Sequence, residues 1–166
     1  MTHTPFAALL IVISMLAFPA AHAAPKDGQK FRDWTARCED RKNGPGEVCY
    51  IFQNLLLKSQ NKPLLHVAVG YLDGDKQPVA FLTLPLGVSL PGGLSLTVDD
   101  GKPLRLRYER CETSGCIAPL ALTDTLVKSL KGGRWARVAF FDVRRREVSV
   151  PVSLIGFTAG FNSLEP

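Results

Sequence analysis

Apolar and polar residues alternate with a period of two along several stretches of the chain. Leu65, Val67, Val69 and Tyr71 alternate with His66, Ala68 and Gly70, and Leu94, Leu96 and Val98 alternate with Ser95 and Thr97. The same pattern sets Leu104, Leu106 and Tyr108 against Arg105, Arg107 and Glu109, and Val148, Val150, Val152 and Leu154 against Ser149, Pro151 and Ser153. Successive side chains of a strand point to opposite faces, so this period predicts strands with one face buried. Turn signals separate them at Asp73-Gly74-Asp75, Pro91-Gly92-Gly93 and Asp99-Asp100-Gly101-Lys102. The Asp100-Gly101 pair predicts a two-residue hairpin turn in which the glycine takes the positive φ.

One segment departs from the strand period. Between Leu122 and Gly133, a capping Thr123 or Asp124 precedes apolar residues at helical spacing, Lys128 and Lys131 fall in the last turn, and Gly132-Gly133 stops the run. One short helix among about eight or nine short strands predicts an all-β fold, an antiparallel β-sandwich or barrel-like domain. Prolines at 78, 85 and 151 and strands of unequal length argue against an outer-membrane barrel, whose strands repeat evenly. Residues 24 to about 33 carry no strand signal and read as a loose lead into the domain.

The first 23 residues carry no Lys, Arg, Asp or Glu and are almost wholly apolar from Phe6 to Ala21. They close on Ala21-His22-Ala23, a pattern of small residues that suits signal peptidase, and the run is too short for a spanning helix. Residues 1–23 are therefore expected to be a cleaved signal peptide and residues 24–166 a single exported domain, periplasmic, secreted or surface-associated. The 20 Lys and Arg and the 15 Asp and Glu all lie beyond this leader, so the net charge of +5 belongs to the expected mature part. That balance favours anionic partners, and export argues against nucleic acid as one of them.

All four cysteines, Cys38, Cys49, Cys111 and Cys116, are in the expected mature part, and an even number in an oxidising compartment reads as two disulfides. Three pairings are open. Joining 38 to 49 and 111 to 116 closes loops of 12 and 6 residues, counted inclusively. Loop-closure entropy assigns these about 3 and about 2 kcal/mol, and bridges between the two halves more than about 4. Short loops close sooner and suit neighbouring strands, so the local pairing is expected. Cys111 and Cys116 meet only the outer edge of the repeated C-x₂₋₄-C spacing of a zinc site, and Cys38 and Cys49, with ten residues between them, do not meet it. Neither pair is the C-x-x-C of a redox site. Arg110 beside Cys111 would favour a thiolate, which keeps a periplasmic thiol-redox enzyme, or a small-molecule enzyme using Cys111 or Cys116, as the alternative.

Other candidate chemistry is sparse. His66 is the one histidine beyond the leader, in mid-strand and without a G-x-S-x-G serine to serve, so it reads as structural or surface. Asp73 and Asp75 lack the further oxygen ligands of a calcium loop, and Asp99 and Asp100 are turn residues first. No metal or cofactor is expected. The run Arg144-Arg145-Arg146 lies between two strand patterns, 134–143 and 147–154. Its simplest account is a solvated hairpin tip. The functional account is a contact point for an anionic lipid or glycan, stronger if Arg105, Arg107, Arg134 and Arg137 converge on it.

An ordered set of motifs resembles the invasion-associated locus B family of bacterial exported proteins. Trp34 is followed by Cys38 and Cys49. Leu84-Pro85-Leu86-Gly87-Val88-Ser89-Leu90-Pro91-Gly92-Gly93 is similar to the family's P-L-G-V-x-L-P-x-G segment. Cys111 to Cys116, with Gly115 and Ala118, resembles its C-x₃-G-C-x-A element, and Val150-Pro151-Val152-Ser153-Leu154-Ile155-Gly156-Phe157 its closing L-P-x-S-L-x-G-F. The resemblance implies an all-β, disulfide-containing periplasmic or surface-associated protein without established enzymatic activity, associated in some intracellular pathogens with entry into host cells. It brings no catalytic residues. The expected function is therefore a non-catalytic envelope or binding protein contributing to host-cell interaction, with an envelope or host-surface component as partner, not integral to the membrane.

Overall fold

The computed structural model describes residues 24–41, 44–57, 62–72 and 75–164. The leader, residues 1–23, lies outside the described residues, as do Asp73 and Gly74 of the expected turn and calcium candidate.

Two antiparallel sheets enclose one core. The larger has seven strands in the order β1-β2-β3-β4-β5-β9-β8, formed by Lys30–Phe31, Trp34–Asp40, Glu47–Leu57, Lys62–Tyr71, Pro78–Leu84, Gly115–Ala121 and Arg110–Glu112. The smaller has the order β11-β10-β6-β7, formed by Glu147–Ser153, Trp135–Phe141, Leu94–Val98 and Leu104–Leu106. The sheets do not close into a barrel, which resolves the expected sandwich or barrel as a sandwich. The alternation legible in the sequence is what builds it. Leu65, Val67 and Val69 of β4 and Leu82 and Leu84 of β5 face Leu94, Leu96, Val138, Phe140, Val150 and Val152 of the smaller sheet in a single apolar cluster. Pro151 is tolerated because β11 is an edge strand, where one side of the ladder needs no N–H donor.

The helix α1, Asp124–Gly132, forms where it is expected. The Thr123 hydroxyl accepts the Leu126 N–H at 3.3 Å, and Leu130 seals the core. A second helix of one and a half turns, α2 at Phe157–Asn162, follows β11. Its Phe157 ring meets Trp34 edge-on at 5.3 Å and stacks on Phe161 at 5.5 Å.

Two local expectations are corrected. The residue with positive φ between β6 and β7 is Asp99, at +46°, not Gly101, and the connection runs through residues 99–103 instead of a two-residue turn. Asp99 takes that conformation because its carboxylate accepts the backbone N–H groups of Arg134 and Trp135, at 3.1 and 2.9 Å, tying the turn to the start of β10. The lead at 24–33 is not loose. β1 pairs with β2, the Asp27 carboxylate accepts the Cys38 N–H at 3.0 Å, and Phe31 lies against α2.

Candidate functional site

The arginine run forms the tip of the β10–β11 hairpin, and Asp142 organises it. The Asp142 carboxylate accepts the backbone N–H groups of Arg144 and Arg146 at 2.8 and 2.9 Å, and it pairs with the Arg146 guanidinium at 2.6 Å. The Asp142 carbonyl accepts the Arg145 N–H, and Arg145 adopts a positive φ of +58° to complete the turn. The backbone N–H of Arg146, then its guanidinium, hold the Asp142 carboxyl below the usual carboxylate range. The triplet is thus divided. Arg146 is spent on closing the tip, while the guanidinium groups of Arg144 and Arg145 have no partner among the described residues.

A second segment runs beside this tip. Val88 bridges Asp142, and the Ser89 N–H donates to the Phe141 carbonyl at 2.8 Å. A Cβ on Gly87 would stand 3.8 Å from Val143 Cγ1. Two aliphatic side chains consequently share the tip with the free arginines: Leu86, 60% exposed, and Val143, 72% exposed.

From the base of the tip a groove of about 950 Å³ extends along the outer side of the smaller sheet, bounded by Leu90, Phe141 and Glu147 at one end and by Arg105, Arg107 and Tyr108 along its wall. Arg105 and Arg107 also lack partners among the described residues. The groove therefore brings two of the four outlying arginines toward the tip. Arg134 and Arg137 do not join them. Arg137 precedes Phe141 by four residues on β10, about 13 Å at strand rise. Burial pushes the Tyr108 phenol up to about 12, and its hydroxyl has no hydrogen-bond partner among the described residues.

The cysteines pair locally. Cys38 and Cys49 are register partners on β2 and β3 with sulfurs 2.07 Å apart, and Cys111 and Cys116 are register partners on β8 and β9 at 2.02 Å. Arg110 does not serve a thiolate: it pairs with Glu112 at 2.6 Å and with Glu109. His66 lies on the outer side of the larger sheet, its Nδ1 2.6 Å from Asn54 Oδ1 and its ring beside Phe52. Burial lowers its pKa. Among the described residues no three His, Cys, Asp or Glu side chains are grouped to hold a metal.

The family-like motifs fall on structural positions. The Ser153 carbonyl accepts both the Trp34 indole N–H, at 2.9 Å, and the Gln53 amide, at 2.6 Å, while its hydroxyl donates to Asp33. Gly115 and Gly156 sit where a side chain would strike the carbonyl oxygens of Leu84 and Phe31. Sequence reasoning left out Asp142, Leu86 and Val143. Asp142 stands four residues before Arg146, a spacing that could have suggested the ion pair, whereas the exposure of the two aliphatics depends on the fold.

Fold and site together define a small disulfide-stapled β-sandwich that presents a cationic, partly apolar tip at one end. No helix among the described residues is long and apolar enough to cross a membrane. The chain belongs to the family described as Invasion associated locus B (IalB) protein, which it matches over residues 34–165. It is 28% identical over 141 residues to an invasion protein B homolog of Brucella abortus (strain 2308), covering 82% of this chain and 78% of that one. It is 25% identical over 107 residues to invasion protein B of Bartonella bacilliformis, covering 64% of this chain and 55% of that one. The crystal structure of invasion associated protein B from Bartonella henselae has the same fold, with a TM-score of 0.72 at 23% identity, covering 82% of this chain and 92% of that one.

Proposed function

We propose that the protein is exported after loss of residues 1–23 and acts, as a single domain from residue 24, as a non-catalytic binding protein of the bacterial envelope or surface. Its anionic partner is met by Arg144 and Arg145, with Arg105 and Arg107 extending the contact along the groove. The relatives named for invasion support a role for this contact in host-cell interaction. The observation that carries the reading is the division of the arginine triplet. Asp142 and Arg146 hold the tip in one shape, so two guanidinium groups are presented without partners among the described residues and at little ordering cost on binding.

The thiol-redox alternative finds less support. Arg110, the cation beside Cys111, is compensated by two carboxylates, which removes the charge that would stabilise a thiolate.

The test is the double substitution Arg144→Gln/Arg145→Gln, read as retention on an immobilised sulfated polysaccharide and on vesicles containing an anionic lipid. Cations near an anionic surface contribute about 1 kcal/mol each, so affinity should fall roughly thirtyfold. Arg134→Gln/Arg137→Gln removes the same charge at the far end of β10 and should have a much smaller effect. Equal losses from the two pairs would reduce the tip to a share of the net charge and refute the reading.

A further inference from the structure

The tip carries more than charge. Leu86 and Val143 come from two chain segments that the Val88–Asp142 bridge holds side by side, and they are the two most exposed large hydrophobic side chains among the described residues. Val143 directly precedes Arg144 and Arg145, whose guanidinium groups have no partner among the described residues. A sulfated or acidic glycan would satisfy the guanidinium groups but offers nothing to two exposed aliphatic side chains. A bilayer satisfies both: aliphatic side chains enter the boundary between headgroups and acyl chains, while arginines extend their stems along it and place their charges among the phosphates. Besides Asp142, whose carboxylate is committed to Arg146, Glu147 at the start of β11 is the next acidic residue along the hairpin and lines the groove behind the tip.

Resting on the reading that the tip meets an anionic surface, we propose that this surface is a phospholipid bilayer. Leu86 and Val143 are the inserting side chains, and Arg144 and Arg145 are the headgroup contacts. The protein docks end-on, with the strands of the smaller sheet leading away from the membrane and the groove opening just above it. Closure of the tip by Asp142 and Arg146 fixes the four side chains relative to one another before contact.

The experiment compares the full chain, expressed for export, with variants carrying the same N-terminus, so that residues 1–23 contribute equally throughout. Partitioning is measured by sedimentation with vesicles of phosphatidylglycerol and phosphatidylcholine, and with vesicles of phosphatidylcholine alone. Retention on an immobilised sulfated polysaccharide is measured in parallel. Leu86→Ser/Val143→Ser should reduce partitioning into the anionic vesicles by about tenfold, the expected loss when two aliphatics are partly withdrawn from an apolar phase, and leave polysaccharide retention unchanged. Arg144→Gln/Arg145→Gln should reduce both. In a Val143→Trp variant the added indole should be quenched by brominated acyl chains; wild-type Trp34 is buried, and Trp135 begins β10 at the end away from the tip.

Vesicle binding that ignores Leu86→Ser/Val143→Ser, or a Val143→Trp indole that is not quenched, overturns the bilayer assignment while leaving the anionic-surface reading standing. A monomer–dimer equilibrium abolished by Leu86→Ser/Val143→Ser would give the patch to a second copy and overturns the assignment as well. Absence of binding to both vesicles and polysaccharide overturns the two readings together, as does equal binding to charged and neutral vesicles.

Discussion

Asp142 and Gly156 show how single residues decide what this chain can present and what it must keep. A side chain on Gly156 would collide with the Phe31 carbonyl, and φ at that position is +91°, so glycine there lets α2 fold back onto β1. Asp142 spends its carboxylate on the tip, which separates a structural arginine from two that have no partner among the described residues. The sequence could show a run of three arginines; it could not show that division, because it depends on a carboxylate folding back across four residues. Tyr108 carries a prediction at the same scale. Its phenol is raised to about 12 against about 10 in an unfolded chain, so between those values the unfolded state releases a proton that the fold retains. This group's contribution to stability is fully present below pH 10 and declines as pH rises toward 12. An ultraviolet titration should show one late-ionising tyrosine that disappears in Tyr108→Phe. Because the hydroxyl has no partner among the described residues, that variant should be no less stable than wild type at neutral pH. A loss of stability would reveal a hydrogen bond that the structure does not contain.

At the scale of elements, strands with one face in the core were legible because burial and the two-residue period coincide. Val67 and Val69 and Leu94 and Leu96 are buried as their alternation predicts. The edges were not. β1 and β8 span two and three residues, too few for a period, and they form because the strand beside each offers a free ladder edge. Helix α2 was equally silent, since its six residues, FTAGFN, contain a glycine and owe their helix to Phe157 and Phe161 docking on Trp34 and Tyr71. The two cystines each clamp a hairpin between register partners, and their energetic weight should follow loop length. Replacing Cys38 and Cys49 by serine should cost about 3 kcal/mol in urea unfolding, and replacing Cys111 and Cys116 about 2 kcal/mol. Binding by the folded protein should be unchanged in both variants. An activity lost with Cys111→Ser/Cys116→Ser at unchanged stability would instead make that hairpin a redox centre.

On the scale of the molecule, the motifs shared with the family concentrate on packing: Trp34 and Phe157 in contact, Ser153 joining the two sheets, glycines where backbones approach. Of the candidate binding groups, Leu86 falls within a shared motif, while Val143, Arg144, Arg145, Arg105 and Arg107 fall outside them. Motif reading alone reached the fold and the cystines, while the division of the arginine run needed the folded hairpin. The net charge of +5 gives weak general attraction to anionic surfaces, and in the proposed function the tip turns it into an oriented contact.

The account stands or falls on whether that contact is electrostatic and local to the tip. The most direct measurement is the affinity of the wild-type protein and of Arg144→Gln/Arg145→Gln for anionic vesicles across a series of sodium chloride concentrations. Exposed charges are screened within about 8 Å at physiological ionic strength, so wild-type affinity should fall steadily with salt. The variant should start weaker and respond far less. Two parallel curves, or a wild-type affinity that does not change with salt, would contradict it.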